Sequence, residues 1–254
     1  MQVHTPLAEL ARAPAYSDNV LATIRLLAQA ADEAQAVDVL AAASKQMGAD
    51  AAAFVSFVRD DPSHESFRFL LACDPVWCLE YERRAWYTDD PWLQYSLNHT
   101  EPARGEDIRP GTAQQREIMG LAAQFGFRSA LIVPAPSSGT LTRIGVLCLG
   151  SSAPAFFDDD GYLALKVLAR SLAMELHAWW IARIKDELLA SARLTDEDLA
   201  LLMHERLGHS TKFIAAKLDM SPNAINSRFQ RMNAKLGVPN RKSAAQLAAE
   251  YGVI

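Results

Sequence analysis

The stretch between Ser210 and Gly237 constrains the fold more than any other part of the chain, because two apolar stripes at helical spacing flank a tight turn. The stripes consist of Ile214, Ala215 and Leu218 before the turn, and of Ile225, Phe229 and Met232 after it. Within the turn, Ser221 is a good helix N-cap and Pro222 suits the first helical position. The stretch therefore predicts two short helices joined by a tight turn, which is a helix-turn-helix.

The second of these helices has a polar outer face, and positive charge is concentrated around it. The residues on that face include Asn226, Arg228, Gln230 and Arg231. Residues 206–254 carry a net positive charge, whereas the whole chain has a formal net charge of -5. A basic segment on an acidic chain is typical of a part that meets a polyanion such as DNA. The alternative is a small helical bundle whose basic residues are simply hydrated.

The C-terminal part is predicted to be a domain of four short helices. These helices span Thr195–Arg206, Ser210–Leu218, Ser221–Leu236 and Arg241–Tyr251. Thr195 and Asp198 have the spacing of a capping box, with aspartate in place of the usual glutamate or glutamine. We therefore predict an N-terminal domain of residues 1–185, a linker of residues 186–193 and a C-terminal domain of residues 194–254.

This C-terminal domain resembles that of LuxR-type transcription regulators. The resemblance lies in "LTDEDLALL", "GHSTKFIAAKLDMS" and "KLGVPNR", which are similar to the family's Leu-Thr-x-x-Glu start, its helix-turn-helix and its Lys-Leu-Gly-Val end. Asp198, His209 and Phe213 depart from the family pattern. The resemblance implies that Asn226 and Gln230 face base edges. Phosphates would be bound by Lys212, Lys217, Arg228 and Arg231.

The N-terminal part alternates between helical and strand patterns. Apolar runs with strand character occur in "DAAAFVSFV", "SFRFLLACD", "FRSALIVPAP" and "LTRIGVLCLGSS". Helical patterns precede, separate and follow them, and the last is a long helix from Asp160 to about Ala192. Because short polar turns between the strands allow antiparallel pairing, we predict an α+β protein whose N-terminal domain is an α/β/α sandwich with an antiparallel sheet.

A second motif lies in "WCLEYERRAWYTDDP", where Trp77 and Tyr81 are spaced to share one face of a helix and Asp90 precedes Pro91. Taken alone, these side chains are ordinary core rings followed by an Asp-Pro turn. Their spacing, Trp-x3-Tyr-x8-Asp-Pro, resembles the ligand domain of the quorum-sensing receptors among LuxR-type regulators. The sequence lacks the phosphate-binding loop and the acidic receiver cluster of other members of the family.

This resemblance implies a small-molecule autoinducer, an acyl-homoserine lactone of unknown chain, and no cofactor. An indole N–H only donates, so Trp77 suits the lactone carbonyl, while the Tyr81 phenol suits the acyl carbonyl. An ionised Asp90 only accepts, so it suits the amide N–H. We expect that in an empty pocket Asp90 is a buried carboxylate without a donor, which is costly.

Three positions depart from the receptor pattern. Gly105 stands close to where the family has another tryptophan, and Ala130 replaces a glycine of the family's strand entry. Cys148 lies where relatives have a serine or threonine that touches the acyl carbonyl. We include Trp92, Ala130 and Cys148 among the ligand-binding residues. Trp86 and Trp92 are additional rings beside the motif, and we expect them to fill the volume that the missing tryptophan leaves.

The resemblance also implies the partners of the chain. We expect a homodimer that binds a double-stranded, inverted-repeat operator and works with RNA polymerase. The long helix supports dimerisation through residues that exceed one apolar stripe, namely Leu165, Leu168, Leu172, Leu176, Trp179 and Trp180. An orphan regulator that answers a plant or host compound, or no ligand, is the main alternative.

Composition excludes several other classes. The chain has no apolar run long enough to span a membrane and no signal-peptide pattern, so we expect a cytoplasmic protein. Its 3 cysteines are too few for a disulfide framework and lack zinc-site spacing, so we expect reduced thiols and no metal. An enzymatic site built from Asp89, Asp90 and His99 is the remaining alternative, and we disfavour it because adjacent aspartates point apart.

Overall fold

The computed structural model describes residues 5–59, 64, 66–137 and 143–254, which form two compact units, one ending at Trp179 and one beginning at Trp180. The helices of the N-terminal unit are α1 (Leu7–Arg12), α2 (Tyr16–Ile24), α3 (Glu33–Gln46), α4 (Pro75–Arg83), α5 (Pro91–Asn98), α6 (Ala113–Ala122) and the first part of α7 (Tyr162–Ala192). Its strands are β1 (Ala51–Val58), β2 (Arg68–Ala72), β3 (Ala103–Arg104), β4 (Ser129–Pro136) and β5 (Arg143–Ser151). The C-terminal unit contains α8 (Asp196–Arg206), α9 (Thr211–Leu218), α10 (Pro222–Leu236) and α11 (Arg241–Glu250).

The centre of the N-terminal unit is a 5-stranded antiparallel sheet with the order β2-β1-β5-β4-β3. Ala53 of β1 lies opposite Leu71 of β2 on one side and opposite Cys148 of β5 on the other. Every residue of β5 is buried, as its almost continuous apolar run predicts for a central strand covered on both faces. The predicted antiparallel sheet is confirmed.

Helices cover both faces of this sheet. Side chains alternate between faces along a strand, and Val55 and Phe57 of β1 share a core cluster with Trp77 of α4 and Trp92 of α5. On the opposite face, a Cβ added to Gly145 would lie 2.9 Å from Nδ1 of His177 in α7. The N-terminal unit is therefore the predicted α/β/α sandwich.

His177 is buried in that second layer and belongs to a small polar network. The Ser137 hydroxyl donates to the Arg143 carbonyl oxygen at 2.6 Å, so Ser137 Oγ accepts from His177 Nε2 at 2.8 Å. His177 Nδ1 is buried and has no hydrogen-bond partner among the described residues. Burial, and then the positive charge of Arg143, lower the pKa of His177 to about 4. The imidazole is therefore neutral at physiological pH.

The long helix α7 differs from the prediction in which of its residues are exposed. Leu165, Leu168, Leu172, Leu176 and Trp180 are all buried, and the Trp179 indole donates to the Ala30 carbonyl oxygen at 2.9 Å. The argument that these residues form spare surface for dimerisation is therefore wrong, because they belong to the core. The exposed large apolar residues of α7 are Leu163, Val167 and Met174.

Local backbone chemistry sets the start and the end of α4. The Asp74 carboxylate accepts a hydrogen bond from Val76 N at 2.8 Å, and Pro75 occupies the first helical turn, so α4 begins before Trp77. Ala85 adopts a left-handed conformation with φ 49°, which ends the helix before Trp86. The two-residue strand β3 and the helix α1 were not predicted, because both are too short to show a period.

The C-terminal unit has the four predicted helices and its own core. Its buried residues include Leu201, Leu202, Ile214, Ile225, Phe229, Met232 and Ala248. The predicted capping box is present, since Asp198 N donates to Thr195 Oγ1 and Thr195 N donates to the Asp198 carboxylate. Ser221 caps α10 through a hydrogen bond from Ala224 N at 3.2 Å, and the helix-turn-helix prediction is confirmed. Throughout the part of the chain that the structure describes, every helix is too short or too polar to cross a membrane.

Candidate ligand pocket and DNA interface

A narrow cavity lies between one face of the sheet and the helices α4 and α5. The centre of a water molecule can occupy only about 30 Å³ of it. Its walls are formed by Ala53, Val55, Phe69, Leu71, Trp77, Cys78, Tyr81, Asp90, Trp92, Leu93, Phe127 and Cys148. Apart from Asp90, almost the whole lining is aromatic, aliphatic or sulfur-containing, which is typical of a small-molecule site with few polar anchors.

Trp77 and Tyr81 enter this cavity from the same face of α4, as their spacing predicts. Their ring centroids are 5.6 Å apart, and Trp86 and Phe125 lie 5.5 Å and 5.8 Å from Trp77. Trp77 is buried, yet its indole N–H makes no hydrogen bond to any described residue. The aromatic cluster therefore presents a donor beside the cavity and holds it at a fixed orientation.

Asp90 is both a wall of the cavity and the N-cap of α5. Its Oδ1 accepts from Trp92 N at 2.7 Å and from Leu93 N at 3.4 Å. Its Oδ2 accepts from the Tyr81 hydroxyl at 2.6 Å. Our expectation that Asp90 lacks a donor in an empty pocket is therefore wrong, because the helix start and Tyr81 supply donors from within the protein.

Burial nonetheless makes ionisation of the groups in this cavity more difficult. Burial raises the pKa of Asp90, although the hydrogen bonds from Tyr81, Trp92 and Leu93 oppose the shift. Burial, followed by the neighbouring Asp90 carboxylate, also raises the pKa of Tyr81 and of Cys148 well above their usual ranges. Tyr81 and Cys148 are therefore neutral hydrogen-bonding groups in this site.

Trp92 packs beside Gly105, the position near which the family pattern has another tryptophan. A Cβ added to Gly105 would be 3.5 Å from Trp92 Nε1 and 3.0 Å from the Ala130 Cβ. Gly105 and Ala130 thus pack beside the Trp92 indole instead of lining the cavity, while Cys148 lines it directly. The Trp92 N–H is buried and has no hydrogen-bond partner among the described residues.

Several wall residues escaped the sequence analysis, among them Phe69, Leu71, Cys78, Leu93 and Phe127. Phe69 and Leu71 are alternate residues of β2, so they share one face of the sheet with Ala53 and Val55. Alternation along the strands was a signal that could have found these four side chains. Phe127 has no such signal, since it follows the helix end at Gly126.

The alternative enzymatic site is not assembled. The Asp89 carboxylate accepts hydrogen bonds from the side-chain amides of Gln94 and Gln115, which link α5 to α6. His99 bonds through Nδ1 to the Tyr95 carbonyl oxygen. The described residues contain no cluster of three or more histidine, cysteine or acidic side chains that could hold a metal ion.

The predicted DNA-binding residues lie on α9 and α10. Asn226 and Gln230 are exposed on the face of α10 opposite its core residues Ile225, Phe229 and Met232. Lys212, Lys217 and Arg231 are also exposed. These five side chains remain available to a partner, as direct readout and phosphate contact require.

Arg228 does not share that availability. Its Nε donates to Asp198 Oδ1 at 3.0 Å, its Nη1 pairs with Glu197, and its Nη2 donates to Thr195 Oγ1 at 3.3 Å. The guanidinium thus ties α10 to the capped start of α8. Its predicted phosphate contact is corrected to an internal ion pair.

The two domains match known families. Residues 32–178 match the autoinducer binding domain family, and residues 193–248 match the luxR family of bacterial regulatory proteins. This chain is a LuxR-type regulator. Both matched families are families of regulators, in agreement with the prediction that the chain is not an enzyme.

Solved structures of other LuxR-type proteins share this fold. SdiA of Escherichia coli has a TM-score of 0.68 at 17% identity, over 92% of this chain and 97% of that one. SdiA in complex with octanoyl-rac-glycerol has the same TM-score and identity, over 95% of this chain and 97% of that one. CepR2 of Burkholderia cenocepacia, described as an N-acylhomoserine lactone-dependent factor, has a TM-score of 0.55 at 19% identity, over 66% of this chain and 97% of that one. A comparison with curated proteins gives no match.

Replacing Arg228 with alanine is expected to destabilise the C-terminal unit of this LuxR-type regulator by about 1–2 kcal/mol, because the buried Asp198 carboxylate loses a charged donor. Arg231 is the matched control, since it is an exposed arginine on the same helix, and its replacement should leave thermal stability unchanged while weakening DNA binding. Thermal unfolding of both variants, together with their DNA affinity at low temperature, distinguishes the two roles. Unchanged stability of the Arg228 variant with reduced DNA affinity would restore the phosphate contact.

Proposed function

We propose that this LuxR-type regulator is a quorum-sensing transcription factor that binds an acyl-homoserine lactone in the cavity and an inverted-repeat operator through α10. The observation that carries the proposal is the chemistry of the cavity. A buried carboxylate, a phenol and an unpartnered indole donor meet in a narrow and otherwise apolar space. This donor and acceptor set matches the head group of such a lactone, and the apolar walls suit its acyl chain.

The pairing of Tyr81 with Asp90 suggests how the head group enters. The Tyr81 hydroxyl has one proton, which it gives to Asp90. On binding, the ligand amide N–H takes that place on Asp90, and the hydroxyl turns to the acyl carbonyl. The exchange leaves no donor or acceptor unpaired, and Trp77 adds a hydrogen bond to the lactone carbonyl, worth about 1 kcal/mol.

The remaining walls favour a slender tail. Val55, Phe69, Leu71 and Leu93 surround the space beyond the polar groups. Each methylene buried there contributes about 0.8 kcal/mol. Mass spectrometry of small molecules that co-purify with the protein tests the proposal directly, and the expected result is an acyl-homoserine lactone. Recovery of another small molecule, released only on unfolding, would contradict it.

We also propose that the regulator acts as a homodimer on DNA and contacts RNA polymerase. Leu163 and Val167 lie one helical turn apart on α7, are exposed and apolar, and give that helix a surface for a second copy. The operator should then contain two half-sites about one helical turn of DNA apart. Footprinting that shows a single half-site would count against the dimer.

Exchange of Asn226 or Gln230 for alanine is expected to reduce discrimination between operator and random DNA by about 1–3 kcal/mol each, because both are exposed on α10 and a side-chain amide can pair with adenine through two hydrogen bonds. Lys212→Ala is the control, since loss of a phosphate contact should weaken binding to all DNA and flatten its salt dependence. Affinities for both kinds of DNA at several salt concentrations decide between these roles. Equal losses on operator and random DNA in the amide variants would place base readout elsewhere.

One observation favours a second candidate, an orphan regulator with a non-lactone ligand. Gly105 and Ala130 replace residues of the receptor pattern, and Trp92 packs beside them with an unpartnered N–H. The ligand that the SdiA structure contains, octanoyl-rac-glycerol, has an ester and hydroxyl groups but no amide. The hydroxyl groups of such a ligand can donate to an aspartate or accept from an asparagine at position 90, whereas an amide N–H can only donate. Asp90→Asn should therefore weaken a lactone strongly and a glycerol ester little.

A further inference from the structure

Two of the 3 cysteines of the chain line one cavity, although 70 residues separate them in sequence, and the third lies beside one of them. Cys78 and Cys148 line the ligand pocket, and Cys73 packs against the same core cluster. The sulfur atoms of Cys73 and Cys78 are 3.2 Å apart. Nothing in the proposed ligand chemistry uses this pair.

The two thiols connect different elements of the fold. Cys73 directly follows the edge strand β2, whereas Cys78 lies in the second turn of α4, next to Trp77. Both cysteines are partly exposed, and the intervening residues Asp74, Pro75 and Val76 are exposed. A small oxidant can therefore reach the pair from solvent without opening the core. Cys148, in contrast, is buried.

From this geometry we propose that Cys73 and Cys78 form a reversible redox site, which a peroxide converts to a disulfide at the wall of the ligand pocket. In the first step the Cys78 thiolate attacks hydrogen peroxide, giving a sulfenic acid and hydroxide. In the second step the Cys73 sulfur attacks the Cys78 sulfur, a disulfide bond forms, and the sulfenic oxygen leaves as water. Two electrons pass from the two thiols to the peroxide, and a dithiol reductant restores both thiols.

The immediate surroundings favour Cys78 as the attacking sulfur. The hydrogen bond from Cys73 lowers the pKa of the Cys78 thiol, while burial and the nearby carboxylates of Glu82 and Asp74 oppose that shift. The same hydrogen bond, with burial, raises the pKa of the Cys73 thiol. The pair thus has a reactive sulfur and a resolving sulfur in contact, which is the arrangement of redox-sensing cysteines.

A disulfide in this position would alter the pocket. Sulfur atoms in a disulfide are about 2.05 Å apart, so closing the 3.2 Å gap draws Cys73 and Cys78 together and strains the wall that Cys78 contributes to the cavity. Because Cys78 is adjacent to Trp77, the start of α4 follows, and the indole donor shifts relative to Asp90. A binding site loses affinity when its anchors are displaced by about 1 Å, and the oxidised protein should bind ligand about tenfold more weakly. This consequence, unlike the disulfide itself, rests on the proposed function.

Peptide mass spectrometry after peroxide treatment of the full chain tests the disulfide. Trypsin cuts after Arg68 and Arg83, so one peptide, residues 69–83, contains both cysteines. The expected result is the loss of two hydrogens from this peptide, reversed by dithiothreitol, with Cys148 still available to a thiol reagent after unfolding. In Cys73→Ser the same peptide should instead gain one oxygen at Cys78, trapped by dimedone. The inference is overturned if wild type gains oxygen without losing the two hydrogens, links Cys148, or forms dimers on non-reducing gels.

The coupling to ligand is measured on the same samples with N-octanoyl-homoserine lactone as the probe. Each protein is compared with itself before and after peroxide, and wild type should lose affinity and regain it on reduction. In Cys148→Ser, which retains the pair, the disulfide should still form. If the disulfide forms and lactone affinity is unchanged, the coupling is wrong. If the reduced protein binds no lactone of any chain length, the proposed function fails, while the mass spectra still decide the redox site.

Discussion

Replacement of Asp90 by alanine is expected to abolish lactone binding and to lower the free energy of unfolding of the N-terminal unit by about 2–4 kcal/mol. Two losses add up to this figure. Without the carboxylate, Trp92 N and Leu93 N lose the cap of α5, which costs about 1 kcal/mol. The buried Tyr81 hydroxyl also loses its acceptor, which costs about 1–3 kcal/mol.

Asp90→Asn is the matched control for this prediction. The asparagine side-chain oxygen can still cap α5, because asparagine is as good an N-cap as aspartate. The fold should therefore lose no more than about 1 kcal/mol. Lactone affinity should nonetheless fall strongly, since an uncharged oxygen accepts more weakly and the side-chain amide turns a donor toward the ligand N–H. Urea unfolding and ligand titration of the two variants separate the cap from the ligand contact, and wild-type affinity in the asparagine variant would show that Asp90 does not bind the ligand.

Acid is expected to destabilise the N-terminal unit by about 3 kcal/mol between pH 6.5 and pH 4, through His177. Its pKa is lowered to about 4 in the folded protein, whereas an unfolded histidine titrates near 6.5. Between pH 6.5 and about 4, His177 therefore binds a proton in the unfolded chain but not in the folded chain. The contribution of His177 to the free energy of unfolding is fully present above pH 6.5 and is lost as the pH falls to about 4. Its size is about 1.4 kcal/mol for each pH unit that separates the folded and unfolded pKa values.

His177→Gln isolates this contribution. Glutamine keeps an N–H that can donate to Ser137 but does not titrate, so unfolding of the variant should depend much less on pH over this range. Asp90 acts in the opposite direction, because a raised carboxyl pKa favours the folded state as the pH falls. The difference between wild type and variant removes the contribution of Asp90. If the free energy of unfolding depends on pH equally in wild type and in the variant, His177 does not titrate as described.

Local chemistry made much of the fold readable from the sequence. Ser221 and Thr195 set helix starts by accepting hydrogen bonds from nearby backbone N–H groups. Pro222 favours the first turn through its fixed φ angle, so all three effects are visible in a few consecutive letters. The same holds for the shared face of Trp77 and Tyr81. Domain limits at residues 185 and 194 stay a prediction, because α7 runs without interruption from Tyr162 to Ala192.

The features that the sequence analysis missed depend on contacts between distant segments. The position of Arg228 on its helix predicts a side chain that faces solvent, but Asp198 of another helix lies close enough to form an ion pair with it. Leu165 and its neighbours were interpreted as surplus apolar surface, although at helical spacing they lie on one stripe of α7, which the core buries. Asp90 was interpreted only as a ligand acceptor, although Asp-Pro before a helical pattern is also the signature of an N-cap.

Thermal unfolding of the purified protein with a panel of acyl-homoserine lactones of increasing chain length tests the central claim most directly. With a ligand at one hundred times its dissociation constant, we predict about 2.7 kcal/mol of added stability for wild type. The shift in the unfolding temperature should be largest for one chain length and nearly absent in Asp90→Asn, whose fold is intact. If no lactone in the panel shifts the unfolding of wild type, the cavity does not bind this class of ligand and the proposed site is contradicted.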